Sequence, residues 1–328
     1  MSERPSQAVL WDFLRGALMT KALAAVVDAG VPEALADGPR PVGELDGYWD
    51  TLHRLLRALA SDGVFRETEP GVFEHTESSR LLLESGWSEF AHLFGGVFFE
   101  ATTDLDASTP GGTFPDRFDA GFWEWLAEHP ADRAAFDAAM SGERERPAER
   151  LAALDWREGE VAVDVGGGNG ALLVELIRRR PELRGIVLDL PETVRDEAAL
   201  GDRIQFVPGS FFESVPAGDA YLLSGILHDW PDEDAARILR TIRVAAPRHA
   251  RLLINESVIR PGNDADGAKW LDLLMLVLAG GRERDENEWR ELLENTGWDP
   301  VRFPEGGPIE ARPLVAADHE EGGEREYE

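Results

Sequence analysis

Across residues 10–27 apolar side chains recur at helical spacing and stop near Gly30, and residues 32–36 can form a short helical turn before a Gly/Pro loop. A second helical pattern, with Thr51 as its expected cap, runs to about Ala60 and turns Leu52, Leu55, Leu56 and Leu59 inward. Asp62-Gly63 then turns the chain, and Val64-Phe65 and Val72-Phe73 flank a polar turn that contains Pro70-Gly71. Helices followed by such a β-wing predict a winged-helix unit. Helical patterns resume through residues 81–99 and 122–140, separated by a Thr/Asp/Gly/Pro segment over residues 102–116 that is expected to be a long loop.

From Glu160 the period changes. Residues 161–165 form a short apolar strand, 171–179 a helix, 185–188 a second strand and 204–207 a third; 220–223, a helix over 232–244, and 251–254 continue the alternation. Strand alternating with helix at this spacing predicts an α/β, Rossmann-like, mainly parallel sheet covered on both faces. Ligands of such sheets bind beyond the carboxyl ends of the strands, so the residues just after each strand are the candidates for chemistry.

Composition narrows the function classes. The 328 residues contain 43% hydrophobic side chains and no cysteine, which removes disulfides, thiolate zinc sites and cysteine nucleophiles and makes the cytoplasm the default expectation. The start of the chain carries Arg4 but no apolar signal core, and the longest apolar run, residues 270–279, is interrupted by Asp272 and is long enough only for a buried helix. No membrane contact is expected. Acidic residues number 63 against 33 basic ones, a formal charge of −30, and a field of that sign repels phosphate backbones. The winged unit fits this exclusion: its candidate recognition helix offers only His53, Arg54 and Arg57, and Glu67, Glu69 and Glu74 flank the wing, so packing or dimerisation is expected of it rather than DNA binding. Part of the acidic excess sits in residues 315–328, expected to be a flexible tail.

Immediately after the first strand of the alternating region stands Asp164-Val165-Gly166-Gly167-Gly168-Asn169-Gly170-Ala171, whose glycines allow a sharp turn and close approach to a cofactor. Gly166, Gly168 and Ala171 also satisfy the dinucleotide pattern, and Asp189, with Leu190 beside it, could accept ribose hydroxyls in either scheme, so the loop alone leaves the cofactor open. Asp164 favours a cofactor bearing an ammonium and a sulfonium over one bearing a pyrophosphate, and S-adenosylmethionine has both. Phe211 could stack on an adenine with Ser210 at its edge, and Ser224 ends the fourth strand on the same crevice.

Beyond that fourth strand comes Leu227-His228-Asp229-Trp230, in which His228 is well placed to act as a general base. Glu256 follows the fifth strand and Glu283 follows the Gly280-Gly281 turn; the two carboxylates are expected to fix the tautomer of His228 and to stabilise its imidazolium, beside a wall of Leu271, Met275 and Leu276. Asp229 is expected to be a turn or capping group that borders the acceptor, and Trp230 to be packing. Metal ligation by the histidine and the two glutamates is the rival, though each stands on a different loop without a tight ligand motif, and no metal ligand is assigned.

These motifs, together with Leu188-Asp189-Leu190-Pro191, Asn255-Glu256 and Gly280-Gly281-Arg282-Glu283-Arg284, resemble the two-domain, S-adenosylmethionine-dependent small-molecule O-methyltransferases, which include plant caffeate and flavonoid enzymes and bacterial enzymes that tailor antibiotics. The resemblance covers about residues 11–313. It implies a homodimer built through the N-terminal region, an acceptor pocket enclosed between the domains, His228 as base flanked by Glu256 and Glu283, Asp189 on the ribose, and Met140 lining the acceptor. It also implies the reaction, methyl transfer to a phenolic or enolic hydroxyl of an aromatic intermediate, with C- or N-methylation, metal-assisted or not, as the alternative. Plant members carry Asp in place of Ser210 and Lys in place of Ser224, and the segment over residues 98–115 reads unlike the usual member. The expected organisation is a dimerisation domain over residues 1–100, acceptor-lining helices over 101–155, the catalytic domain over 156–314, and the tail.

Overall fold

The computed structural model describes residues 6–314 except 85, 110, 143–144, 192 and 194–199, and the expected acidic tail lies outside the described residues. The described residues fold as two compact units, one comprising residues 6–146 with Trp270–Gly281, the other Pro147–Lys269 with residues 282–314.

The first unit begins with helices α1 (Ser6–Asp28) and α2 (Val31–Ala34), strand β1 (Arg40–Pro41) and helix α3 (Trp49–Ser61), followed by β2 (Phe65–Glu69) and β3 (Val72–His75). β3 is the centre of a three-stranded antiparallel sheet between β1 and β2, which is the wing expected around Pro70-Gly71. Leu52, Leu56 and Leu59 of α3 pack with Phe65 and Phe73 of the wing. Helix α3 starts two residues before Thr51, and no side chain caps it; Thr51 lies inside the first turn. The later helical patterns become α4 (Glu77–Arg80), α5 (Trp87–Gly95), α6 (Val97–Ala101), α7 (Thr113–Phe118), α8 (Phe122–Glu128) and α9 (Pro130–Gly142). The pattern over residues 122–140 is therefore two helices, divided at Pro130, whose missing N–H suits a first helical position and not an interior one. The segment expected to be a long loop, residues 102–116, contains the first four residues of α7.

The second unit takes most of α10 (Glu145–Ala152), then β4 (Val161–Val165), α11 (Ala171–Arg179), β5 (Arg184–Asp189), β6 (Ile204–Pro208), β7 (Ala220–Ser224), α12 (Asp232–Ala245), β8 (Arg251–Asn255) and the short β9 (Val258–Ile259). The next helix, α13 (Ala268–Ala279), belongs mainly to the first unit, after which β10 (Arg284–Asp285), α14 (Glu286–Glu294), β11 (Trp298–Arg302) and β12 (Ile309–Pro313) complete the second. Seven strands form one sheet in the order β11-β12-β8-β7-β4-β5-β6. The five from β4 to β8 are parallel, and β12 and β11 add antiparallel to the β8 side.

Alternation along the strands explains the two covered faces. Val163, Val165, Tyr221, Leu223, Leu252 and Ile254 face α12 and α14, with Ile238, Leu239 and Trp289. Ala162, Val187, Ala220, Leu222 and Leu253 face α11, with Leu172, Leu173 and Leu176. All five residues of β7 are buried, which is what a central parallel strand requires. The order in which strands are added reverses at β4, with β5 and β6 on one side and β7 and β8 on the other, so the carboxyl ends of β4 and β7 open the crevice where ligands of such sheets bind.

Helix α13 departs from the expected buried helix: Met275, Val277 and Leu278 are buried, but Trp270 is 62% and Leu273 40% exposed. Among the described residues no helix is long and apolar enough to cross a membrane.

Candidate active site

The glycine loop leaves β4 and enters α11. Gly166, Gly168 and Gly170 all have positive φ (72°, 60° and 79°), a conformation that side chains with a Cβ resist. A Cβ on Gly167 would stand 2.6 Å from the buried Asp164 carboxyl, and one on Gly170 would stand 2.4 Å from Leu200, so these glycines serve packing. A Cβ on Gly168 would meet nothing within 4 Å, so its α-carbon borders open space, the place for a cofactor's close approach. Asp189, at the end of β5, accepts from the Gly168 amide (2.8 Å) and the Leu190 amide (2.7 Å). Both carboxylate oxygens are thereby oriented, and each keeps a lone pair for a hydroxyl.

Phe211 follows β6, and its ring comes within 3.4 Å of the position a Gly166 Cβ would take, so the candidate adenine platform borders the glycine loop. Ser210 accepts from the Phe212 amide at 3.3 Å, a local turn bond. Ser224 is buried and its hydroxyl accepts from Asn255 Nδ2 at 3.0 Å, so in this structure it ties β7 to β8.

His228 lies in a short turn just beyond β7. Gly225 (φ 65°) starts that turn, and its lack of a side chain leaves room beside the imidazole: a Cβ there would stand 3.5 Å from Nε2. Nδ1 of His228 is 2.6 Å from Glu283 Oε1, whose side chain is fully buried. Glu256 behaves differently from the expectation that both glutamates hold the ring: its Oε1 accepts from the backbone amides of Ile226 (3.1 Å) and Leu227 (2.6 Å), fixing the turn, while its Oε2 is buried with no hydrogen-bond partner among the described residues. Asp229, expected to be a turn or capping group, places Oδ1 3.5 Å from Nε2, the other ring nitrogen. The short parallel pairing of β9 with β10 explains the convergence, because Val258 opposite Arg284 aligns the segments that carry Glu256 and Glu283.

Charge follows geometry. Burial pushes the His228 imidazolium towards losing its proton, but the Asp229 charge, the Glu283 hydrogen bond and the Glu256 charge outweigh it and raise the pKa from 6.5 to about 10. Burial, reinforced by Glu256 and Glu283 against the pull of His228, raises Asp229 to about 7. Glu256 is also raised by burial, against the His228 charge and its two amide bonds.

In the first unit Met140, Leu271 and Met275 pack in one aromatic cluster with Phe98, Phe114 and Phe122. Phe122 meets Phe114 at 5.3 Å and Phe136 at 5.5 Å, both edge to face. This aromatic surface was not legible as a unit, because α6 to α9 and α13 contribute to it from distant parts of the sequence.

With this geometry in place, comparison with known proteins gives a family. The O-methyltransferase domain matches residues 98–299, and the O-methyltransferase dimerisation domain matches residues 11–85. A phenazine O-methyltransferase of Lysobacter antibioticus is 36% identical over 94% of this chain and 97% of its own. The structure of a mitomycin 7-O-methyltransferase is similar with a TM-score of 0.86 and 34% identity, covering 94% of this chain and 98% of that one. An O-methyltransferase from neocarzinostatin biosynthesis, solved with S-adenosylmethionine and 2-hydroxy-5-methyl naphthoic acid, has a TM-score of 0.77 and 32% identity over 90% of this chain and 96% of that one. The chain belongs to the two-domain O-methyltransferase family.

Because the folded pKa of His228 is raised, the stability it contributes is fully present below the unfolded value near 6.5 and is lost as pH rises through about 10. Glu283→Gln should lower the imidazole pKa and flatten this dependence. Imidazole NMR titration with urea midpoints at pH 6, 8 and 10 reads both, and a wild-type His228 titrating near the ordinary histidine value contradicts the reading.

Proposed function

We propose that the chain methylates a phenolic or enolic hydroxyl of an aromatic secondary-metabolite intermediate, with S-adenosylmethionine as the cofactor and His228 as the general base. The observation that carries this is the 2.6 Å contact between His228 and the buried Glu283, at the carboxyl end of β7. The residues present suit the cofactor: the open space at Gly168, the oriented carboxylate of Asp189 for a ribose, Phe211 beside the loop, and acidic groups that favour a cation. Bound there, the cofactor supplies an electrophilic methyl group and a positive charge that opposes the imidazolium.

The protein's own part is proton handling and placement. With Nδ1 held by Glu283, His228 directs Nε2 to the acceptor hydroxyl, takes its proton as the oxygen attacks, and leaves an imidazolium that Glu283 and Asp229 stabilise. Glu256 is a positioning residue acting through the Ile226 and Leu227 amides. A base has to be neutral, so the raised pKa of His228 makes turnover depend on the fraction that has shed its proton. Met140, Leu271 and Met275 are proposed to meet the acceptor, supported by the family resemblance and by their shared aromatic cluster.

Incubation with methyl-labelled cofactor and a panel of phenols, naphthoates, anthraquinones and amines, with and without chelator, tests the reaction. The label should appear on oxygen by NMR and survive chelation. Transfer to carbon or nitrogen alone, or only with a divalent metal, would overturn it.

A homodimer is the proposed assembly, supported by the match to the dimerisation domain and by an apolar surface on α1 and α13 of one unit. Trp11, Leu14 and Leu18 are 63%, 74% and 75% exposed, and Phe13 meets the exposed Trp270 at 5.8 Å between ring centres. Such a patch on a folded chain marks an interface. Light scattering at micromolar protein should give the dimer mass, and Leu14→Glu with Leu18→Glu should give the monomer; a monomeric wild-type protein refutes the assembly.

A further inference from the structure

Among the buried polar residues of the second unit, Arg284 is one whose use the proposed reaction does not explain. Its side chain is 1% exposed, and its guanidinium lies 5.2 Å from the centre of the Trp289 ring. Its side-chain hydrogen bonds go to the catalytic turn, to the segment that carries Glu283 and to Asp232 at the start of α12. Nη1 donates to the carbonyls of Leu227 (3.1 Å) and Arg282 (3.3 Å). Nη2 donates to the carbonyl of Trp230 (3.1 Å), and Nε donates to Asp232 Oδ1 (2.9 Å), which also lies 2.9 Å from Nη2.

Two of the three bonded carbonyls, those of Leu227 and Trp230, belong to the residues on either side of His228-Asp229. The His228 carbonyl is engaged as well, by the Arg282 amide at 2.8 Å. Residues 282–284 thus hold the backbone of the turn at Leu227, His228 and Trp230, while Glu283, between the two arginines, holds the ring. A rigid planar fork can keep two carbonyls and a carboxylate at fixed mutual angles; an ammonium on a flexible stem cannot.

We propose that Arg284 is the positioning residue of this enzyme's base: it sets the peptide planes around His228 so that the Glu283 bond and the direction of Nε2 are established together. The inference rests on the reading of His228 as base. Arg284 touches no reacting atom in it, and its contribution is to turnover and not to binding.

The test is Arg284→Lys, with Asp232→Asn as a second variant that loosens the clamp from an aspartate whose side chain is 57% exposed. The readouts are kcat, KM, S-adenosylhomocysteine affinity by calorimetry, and the ¹⁵N resonances of His228. In Arg284→Lys, kcat should fall about 10- to 100-fold with KM and S-adenosylhomocysteine affinity within about threefold of wild type, since a misplaced catalytic group costs rate before binding. In Asp232→Asn, kcat should fall ~3- to 10-fold, as expected for removing the charge from an acceptor that meets both Nε and Nη2 while leaving an oxygen that can still accept. The His228 Nδ1 resonance should move in both variants. Wild-type kcat in Arg284→Lys, or losses of kcat and S-adenosylhomocysteine affinity in equal proportion, would overturn the proposal. If Arg284→Lys does not fold, Asp232→Asn decides: wild-type kcat with an unmoved His228 resonance overturns it. The two readings separate, because turnover retained by His228→Ala refutes the base and with it the positioning role, whereas turnover lost by His228→Ala and retained by Arg284→Lys refutes the positioning role alone.

Discussion

The hydrogen bond between His228 and Glu283 joins two turns 55 residues apart in the chain, and the arrangement of the second unit can be understood from what that bond requires. A carboxylate with a fully buried side chain is costly to ionise unless a cation or donors meet it, and a half-buried imidazole keeps one tautomer only if its other nitrogen has a fixed partner. Both demands are met when the ends of β7 and β8 lie side by side in a parallel sheet and the chain returns through β10 to pair with β9. The glycine loop at the end of β4 neighbours the same edge, so cofactor and base are brought together by one sheet topology.

Electrostatics gives the cluster its character. Three carboxyl groups, Asp229, Glu256 and Glu283, surround one histidine in a largely buried place, and their interactions with it exceed the cost of burying its charge. A carboxyl raised to about 7 beside a histidine raised to about 10 means that Asp229 and His228 both hold their protons more tightly than they would in water. Buried charged groups of this kind rarely add stability over apolar packing, which places their value in orientation and proton affinity. The arrangement suits an acceptor whose hydroxyl is acidic enough to share its proton with an imidazole.

The core strands were legible because β4, β5, β7 and β8 are short apolar runs buried on both faces, bounded by glycine, proline or acidic turns. The antiparallel strands β11 and β12 were not: Pro300 and exposed polar residues interrupt β11, and only alternate residues of β12 are buried, so neither forms an apolar run. The positions of His228 and Glu283 followed from their place after a strand and a glycine turn. What could not be read is direction. Glu256 lies near the expected place but gives its oxygen to two backbone amides, and Asp229 turns to Nε2 instead of capping, because those choices depend on the Gly225 turn and on the β9–β10 register. Arg284 lies in the Gly280-Gly281-Arg282-Glu283-Arg284 run, which does not reveal its role, since a buried arginine cannot be told from an exposed one until its neighbours are known.

The central claim is that a histidine held by a buried glutamate removes the proton, and the most direct measurement is turnover of His228→Ala against wild type over pH 6–10, with acceptors of different hydroxyl acidity. A positioned general base contributes roughly 10²–10⁴-fold, so the variant should lose that much with a weakly acidic phenol and much less with an acceptor already ionised at the assay pH. Wild-type kcat/KM should climb with pH towards the raised pKa of His228, near 10, and the variant should lack that limb. Equal turnover by variant and wild type at neutral pH, for an acceptor still protonated there, would contradict the account.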